Sequence, residues 1–316
     1  MRAAGPEQAR PATTSSSSPR TPGPGFLLDR GRYLRFDVPG ATTGTSPFGI
    51  NNRGQIVGKY NDGTAPSGPG ASEHGFLRDR RGRFARIDLP GARSTSPFRI
   101  NDRGQLVGAY SQTFGRVGDD PNRRGFLLDR GRLVRLDVPG ATYTQPTGIN
   151  ILGKVVGEYQ DAAGRYHGFL WQRGRFTTVD LPGAAATSAT AINDRGQIVG
   201  LRIDDLTAQP PVVRGFLLDK GRSTTIDPFG DPITLAFGLN NRGQVVGFTS
   251  ADPAVAGLRG FLLAKGAGGA ATEIRVPGAT SSSVSAINDR GQLVGAYGNP
   301  DANAQGADQP AAGATP

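Results

Sequence analysis

From residue 25 to residue 297 the apolar positions fall in short runs rich in Val, Ile, Leu and Phe, each cut off by Gly, Pro, Asn or Asp. β-Branched and aromatic residues suit a pleated, half-buried surface, and the residues at the breaks suit tight turns. Residues 75–110 show the pattern in full: runs at 75–79, 83–89, 96–100 and 105–110 predict four strands.

The pattern repeats. Gly-Phe-Leu begins at Gly25, Gly75, Gly125, Gly168, Gly215 and Gly260, at spacings of 50, 50, 43, 47 and 45 residues. A second block, Ile/Leu-Asn-x-x-Gly-Gln/Lys-Ile/Val/Leu-Val-Gly, begins at Ile50, Ile100, Ile149, Ile192, Leu239 and Ile287. Between them stands Asp-x-Pro-Gly-Ala, intact at Asp37, Asp88, Asp137 and Asp180, altered at Asp227, with Arg275 replacing Asp in the last copy. A period of about 40–50 residues with four strands is that of a propeller blade. The expected fold class is all-β, a six-bladed β-propeller of four-stranded blades. The chain starts on a C–D strand pair at 25–38 and finishes on an A–B pair at about 284–297. Pairing the N-terminal C–D strands with the C-terminal A–B strands would complete one blade, and closure removes open sheet edges.

The pattern resembles the HAF family of extracellular repeat proteins. The resemblance rests on His74-Gly75-Phe76-Leu77, on Asp88-Leu89-Pro90-Gly91-Ala92, on the run from Ile192 to Gly200, and on their counterparts across residues 25–297. It implies a propeller-like domain of extracellular or cell-envelope location, acting as a non-catalytic binding or interaction module, with no known reaction. No apolar segment follows Met1-Arg2, so no standard secretory signal is visible.

Composition adds limits. Glycine numbers 48 and proline 24, and most of the glycine falls at fixed slots of the repeat. Residues 1–24, rich in Pro, Ser and Thr, and residues 298–316 lack the apolar content to fold and are expected to be disordered. Cysteine is absent, which excludes disulfides, thiol catalysis and Cys-ligated zinc. No apolar run reaches the length of a membrane helix. No cofactor or metal is expected, and the chain is expected to be a monomer.

The chemistry narrows at the histidines. Counting outward from the Arg-Gly hairpins sets His74 opposite Asp88, Arg124 opposite Asp137, His167 opposite Asp180 and Arg214 opposite Asp227. Both histidines of the chain are then cross-strand partners of Asp, which leaves none for a Ser-His-Asp triad. In the last repeat Arg275 is expected to leave Arg259 without a partner. The alternative is a propeller lyase or hydrolase using acids of the long loops, such as Asp119-Asp120 and Asp204-Asp205, which would also bind a hard cation if they converge.

Charge supplies another reading. The net charge is +10, and seventeen of the 36 Lys and Arg sit in or beside the A–B and C–D turns, against seven Asp. Both turn sets lie at one end of up-and-down blades. Arg53, Arg103, Arg195, Arg242 and Arg290 are the candidate ligand-binding residues there, for an anionic polymer or envelope surface. At the other end, Ser and Thr of the D–A links, as in residues 41–46 and 279–283, are candidates for binding a glycan.

Overall fold

The computed structural model describes residues 23–42, 44–63, 73–112, 123–208, 212–252 and 257–298. Among them there are strands and turns and no α-helix. Strands β3 (Thr45–Ile50), β4 (Ile56–Asn61), β5 (Glu73–Arg78) and β6 (Phe84–Ile87) form one antiparallel meander. β7 (Ser94–Ile100) to β10 (Arg132–Arg135) and β11 (Tyr143–Ile149) to β14 (Arg175–Val179) form two more. β15 (Ala186–Ile192) to β22 (Ala271–Ile274) make an eight-stranded sheet, in which two such meanders are joined by one parallel bridge, Val213 to Ile233. The remaining sheet is mixed in sequence: β1 (Gly25–Asp29) and β2 (Arg32–Phe36) lie beside β24 (Leu293–Gly298) and β23 (Ser281–Ile287). β1 pairs with β24 from Gly25↔Ala296 to Leu28↔Leu293. The first strands of successive sheets also touch in a circuit, β3–β7–β11–β15–β19–β23–β3.

The Gly-Phe-Leu motif makes the core. Phe26, Phe76, Phe126, Phe169, Phe216 and Phe261 are all fully buried, each contributing about 2–3 kcal/mol of apolar burial. Each lies against a glycine of the neighbouring strand. A Cβ on Gly200 would stand 2.0 Å from the Ser188 carbonyl oxygen and 2.7 Å from the Phe216 ring. The six glycines that follow the strand valines are therefore needed for close approach, and the bulge lies opposite them, on the first strand of each sheet. Gly200→Ala is expected to lower stability by about 1–3 kcal/mol through overpacking, measured by denaturant unfolding.

The hairpins obey the expected register, with Gly25 opposite Phe36 and Gly75 opposite Ile87. Arg30, Arg130, Arg173 and Lys220 take φ of 50°, 51°, 52° and 50°, and the glycine after each takes 78° to 83°. Two successive residues with positive φ make a type I′ turn, for which Asn-Gly is the favoured pair.

Candidate functional site

The turn end is built from the Asn-x-x-Gly motif. Asn51 Oδ1 accepts from the backbone N–H of Arg53 and of Gln55, both at 3.0 Å. Its Nδ2 donates to Gln55 Oε1 at 2.8 Å and to the carbonyl of Asn101, in the next repeat, at 3.1 Å. The link to the next repeat recurs from Asn101 to Asn150 (2.9 Å), Asn150 to Asn193 (3.1 Å), Asn193 to Asn240 (3.2 Å), Asn240 to Asn288 (3.0 Å) and Asn288 back to Asn51 (3.0 Å). All four hydrogen-bonding positions of Asn51 are used. Asp would keep the turn and lose the donor. Turn chemistry accounts for the Oδ1 half of this arrangement only. The Nδ2 half was missed, and its signal is that all six copies use Asn where Asp or Ser also suits a turn.

A second row of bonds lies on the first, open between Asp102 and Ile151, whose side chain offers no acceptor. The N–H of Asn52 donates to Asp102, that of Ile151 to Asp194, Asp194 to Asn241, Asn241 to Asp289 and Asp289 to Asn52, at 2.7–2.8 Å. Together the ring and this row line a small mouth of about 90 Å³. Outside it, the backbone N–H of Arg53, Arg103, Arg195, Arg242 and Arg290 donates in each case to the Asn Oδ1 of the same turn. All five arginines are exposed, and Leu152 takes the sixth place. Gln105, Gln197 and Gln292 Nε2 donate to Asp129, Asp219 and Asp29, which ties this ring to the C–D turns. The geometry is an acidic centre inside a basic annulus.

The histidines are held on the flanks of the sheets. His74 Nδ1 lies 3.1 Å from Asp88, and its Nε2 lies 3.2 Å from Asp62 and 3.1 Å from Arg86 Nη2. His167 Nδ1 lies 2.7 Å from Asp180 and its Nε2 3.2 Å from Asp161. Tyr159 stacks on His167 at 5.1 Å. Each ring thus meets a second carboxylate that register counting did not reveal. Asp161 is partly desolvated, which raises its pKa, but the N–H groups of Arg165 and Ala163 and the side chains of His167 and Arg165 hold it at about 2. A depressed carboxylate pKa stabilises the fold above the unfolded-state value and loses that effect as pH falls through 2. Asp161→Asn is expected to cost about 0.5–1 kcal/mol at neutral pH, discounted for exposure, and nothing below pH 2, read from acid and denaturant unfolding.

The arginine pairs behave differently. Asp137 meets Arg135 Nη2 at 3.5 Å and accepts from the Gly125 N–H at 3.3 Å. Arg214 Nε reaches Asp204 at 4.0 Å, while Asp227 accepts from the Gly230 N–H at 2.7 Å. Arg214 thus reaches Asp204 in place of its register partner, and Asp137 takes Arg135 and a backbone N–H in place of Arg124. Arg259, expected to lack a partner, meets Asp231 and Glu273, each at 3.4 Å. Glu273 sits two residues before the missing acid on β22 and takes its place.

Several hydroxyls of the D–A links are engaged in the fold, while Thr43 lies outside the described residues. Thr45, Thr95, Thr144, Thr187 and Ser282 accept from the backbone N–H of Val38, Leu89, Val138, Leu181 and Val276, and so cap the Asp-x-Pro-Gly bends. Thr42 and Thr280 donate to Asn61 and Gly298 carbonyls. In the fifth repeat Pro228 stands where the others offer an N–H, so Thr234 has no such bond to accept there. Of the loop acids, Asp119-Asp120 lie outside the described residues. Asp204 binds Arg202, and Asp205 binds the Thr207 hydroxyl and N–H at 2.7 Å. Among the described residues no group of three His, Asp or Glu has the arrangement of a metal site.

The loop end holds charges of another kind. At one register position the sheets carry Lys59, Ala109, Glu158, Leu201, Phe248 and Ala296. Both charged members are buried. Lys59 donates to Glu73 at 2.7 Å, and burial pushes its pKa down while Glu73 works against that. Tyr143 donates to Glu158 at 3.1 Å, and burial together with that carboxylate pushes the phenol well above its usual value.

Radial four-stranded meanders whose first strands meet around one mouth define a β-propeller. Comparison with solved structures agrees. A TolB protein from Agrobacterium tumefaciens aligns with a TM-score of 0.60 at 12% identity, over 87% of this chain and 98% of that one. The β-propeller domain of the Trilobed protease from Pyrococcus furiosus aligns at 0.49 and 12% identity, over 85% and 86%. TolB from Acinetobacter baumannii aligns at 0.49 and 13%, over 80% and 53%. No family model matches the chain, and no curated protein does.

Proposed function

We propose that this propeller is a non-catalytic binding module whose turn end docks an anionic polymer. The observation that carries the reading is conformational. Arg30, Arg130, Arg173 and Lys220 are exposed and left-handed. An L-residue other than Gly, Asn or Asp costs about 1–2 kcal/mol there. Four hairpins hold a cation in a place where Asn is cheaper, and strain repeated with one sign of charge points to a use for the charge. The five annular arginines add to the same surface. The acidic mouth excludes an anion, so the polymer runs over the annulus and the outer turns, not into the channel.

Six blades are proposed for the ring. The support is the pairing of β1 with β24 and the return of the Asn circuit from Asn288 to Asn51. The HAF-type repeats support an extracellular or envelope location. The test is binding of the full chain to immobilised heparin and to double-stranded DNA at two salt concentrations. Binding that falls steeply with salt supports the reading, and its absence at low salt removes it.

A further inference from the structure

A cavity of about 500 Å³ lies between two neighbouring units. One wall is Val138 and Pro139, in the bend after β10. The other is the face of β12 (Val155–Gln160), β13 (Tyr166–Gln172) and β14, with Tyr159, Phe169, Phe176 and Thr178. Thr178 is exposed, so solvent reaches the cavity from the flank of the sheet.

The repeat shows what this gap lacks. In the unit closed by β1 and β24, the register sets Arg35 at the place of Thr178, Tyr33 at that of Phe176 and Tyr297 at that of Tyr159. There the chain itself bridges to the preceding unit. The Tyr33 hydroxyl donates to the Arg275 carbonyl at 3.0 Å, and Arg35 Nη2 donates to the Pro277 carbonyl at 2.9 Å. The Arg35 guanidinium carbon lies 5.1 Å from the centre of the Tyr297 ring. The same register matches Arg86 with Tyr60 and Arg135 with Tyr110. The unit of β12–β14 keeps the tyrosine and loses the arginine. Pro139 stands where Pro277 does. Phe176 has no hydroxyl, and Thr178 is too short to cross, bonding the Tyr159 hydroxyl at 3.0 Å instead. The other two units carry Arg202 with Thr225 and Thr249 with Glu273, so they lack the ring as well.

We propose that this cavity takes an arginine side chain from a partner peptide, with its guanidinium on the Tyr159 ring and bonded to the Pro139 carbonyl, as Arg35 is placed in its own unit. An aromatic face attracts a cation, and the planar guanidinium stacks on it while its N–H groups reach a carbonyl. Phe169 and Phe176 offer the methylene stem an apolar wall. Asp161 and Asp180 hold His167, which stacks on one face of Tyr159, so this end of the cavity has acidic neighbours. Arg175 also lines the cavity. It stands three residues before Thr178 on β14, about 10 Å away, where salt screens its repulsion. The site lies between units and stands or falls independently of the polymer surface.

The test uses the full chain and the blocked tripeptide acetyl-Gly-Arg-Gly-amide, beside its lysine and citrulline counterparts. Binding is read by calorimetric titration and by the emission of the single tryptophan, Trp171, the cross-strand partner of Phe176. The arginine peptide is expected to bind and to shift that emission. The lysine peptide keeps the charge without the plane, and the citrulline peptide keeps the plane without the charge. Each is expected to bind about tenfold more weakly or worse. Thr178→Arg supplies the side chain from within, as Arg35 does, and is expected to abolish peptide binding while folding as before. Tyr159→Leu removes the ring and is expected to weaken binding about tenfold. The proposal is overturned if the arginine peptide does not bind at millimolar concentration, if either counterpart binds as well as it does, or if Thr178→Arg binds it as the wild type does. Should Thr178→Arg not fold, unchanged affinity in Tyr159→Leu overturns it.

Discussion

Replacing Arg99 by alanine is expected to lower the unfolding free energy by about 3–5 kcal/mol, read from urea unfolding followed by the single tryptophan, Trp171. The expectation comes from the bulges. Each first strand shifts register near its middle, between Pro47 and Gly49, Pro97 and Arg99, Pro146 and Gly148, Ala189 and Ala191, Ala236 and Gly238, and Val284 and Ala286. The residue that follows the bulge is Gly or Ala in every unit but one. Arg99 fills the space the small residues leave, and donates to the carbonyls of Phe48, Phe98, Phe237 and Ser285. These belong to four different units, up to 186 residues away. Burial pushes the Arg99 pKa down to about 10, so the group stays charged at neutral pH. Carbonyl dipoles answer the charge in place of a carboxylate. Alanine leaves four part-buried acceptors without this donor, and water entering the gap limits the loss to less than their sum. Arg99→Lys keeps a charge but no planar group that reaches opposite walls, and should recover less than half. An alanine variant as stable as the wild type would show that the staple contributes nothing.

The fold was legible because the sequence states each element six times. A single Asn-x-x-Gly is a turn and no more, but six at matching spacing give the hairpins, and the two-residue Arg-Gly loop gives the register down to Gly25 opposite Phe36. What could not be read is what crosses between copies. Asn51 looks complete as a turn residue, yet half its bonding capacity goes to Asn101. Thr45 looks like a solvated loop hydroxyl, because composition does not say which way a side chain faces, and it caps Val38 instead.

The candidate sites divide along the same line. The annular arginines were legible since they recur. Arg99, Lys59 and Glu158 were not, since each breaks the repeat once and a single departure reads as drift. The structure supplies the missing quantity, which is burial. Where a repeat protein buries a polar group that its other copies lack, the group answers to something outside the repeat. For Arg99 that is the central gap.

The polymer surface makes the larger prediction in solution. If about five guanidiniums displace counterions from a strand of high charge density, the slope of about −0.9 per contact lowers affinity roughly 500-fold between 50 and 200 mM salt. Changing Arg53, Arg103, Arg195, Arg242 and Arg290 together to serine should flatten that slope and leave unfolding nearly unchanged, because only their backbone N–H groups hold the turns. A second set separates function from fold more sharply. Arg30, Arg130, Arg173 and Lys220 changed to asparagine keep every turn and relieve the left-handed strain, which should raise stability by about 0.5 kcal/mol per site. The same change removes four cations from the docking end and should weaken heparin binding by tenfold or more, about 1.4 kcal/mol. A protein made more stable and less able to bind by one set of substitutions has been holding those cations at a cost to its fold. If the asparagine set gains stability and binds heparin as before, the cations are incidental to the turns and the polymer reading loses its main support.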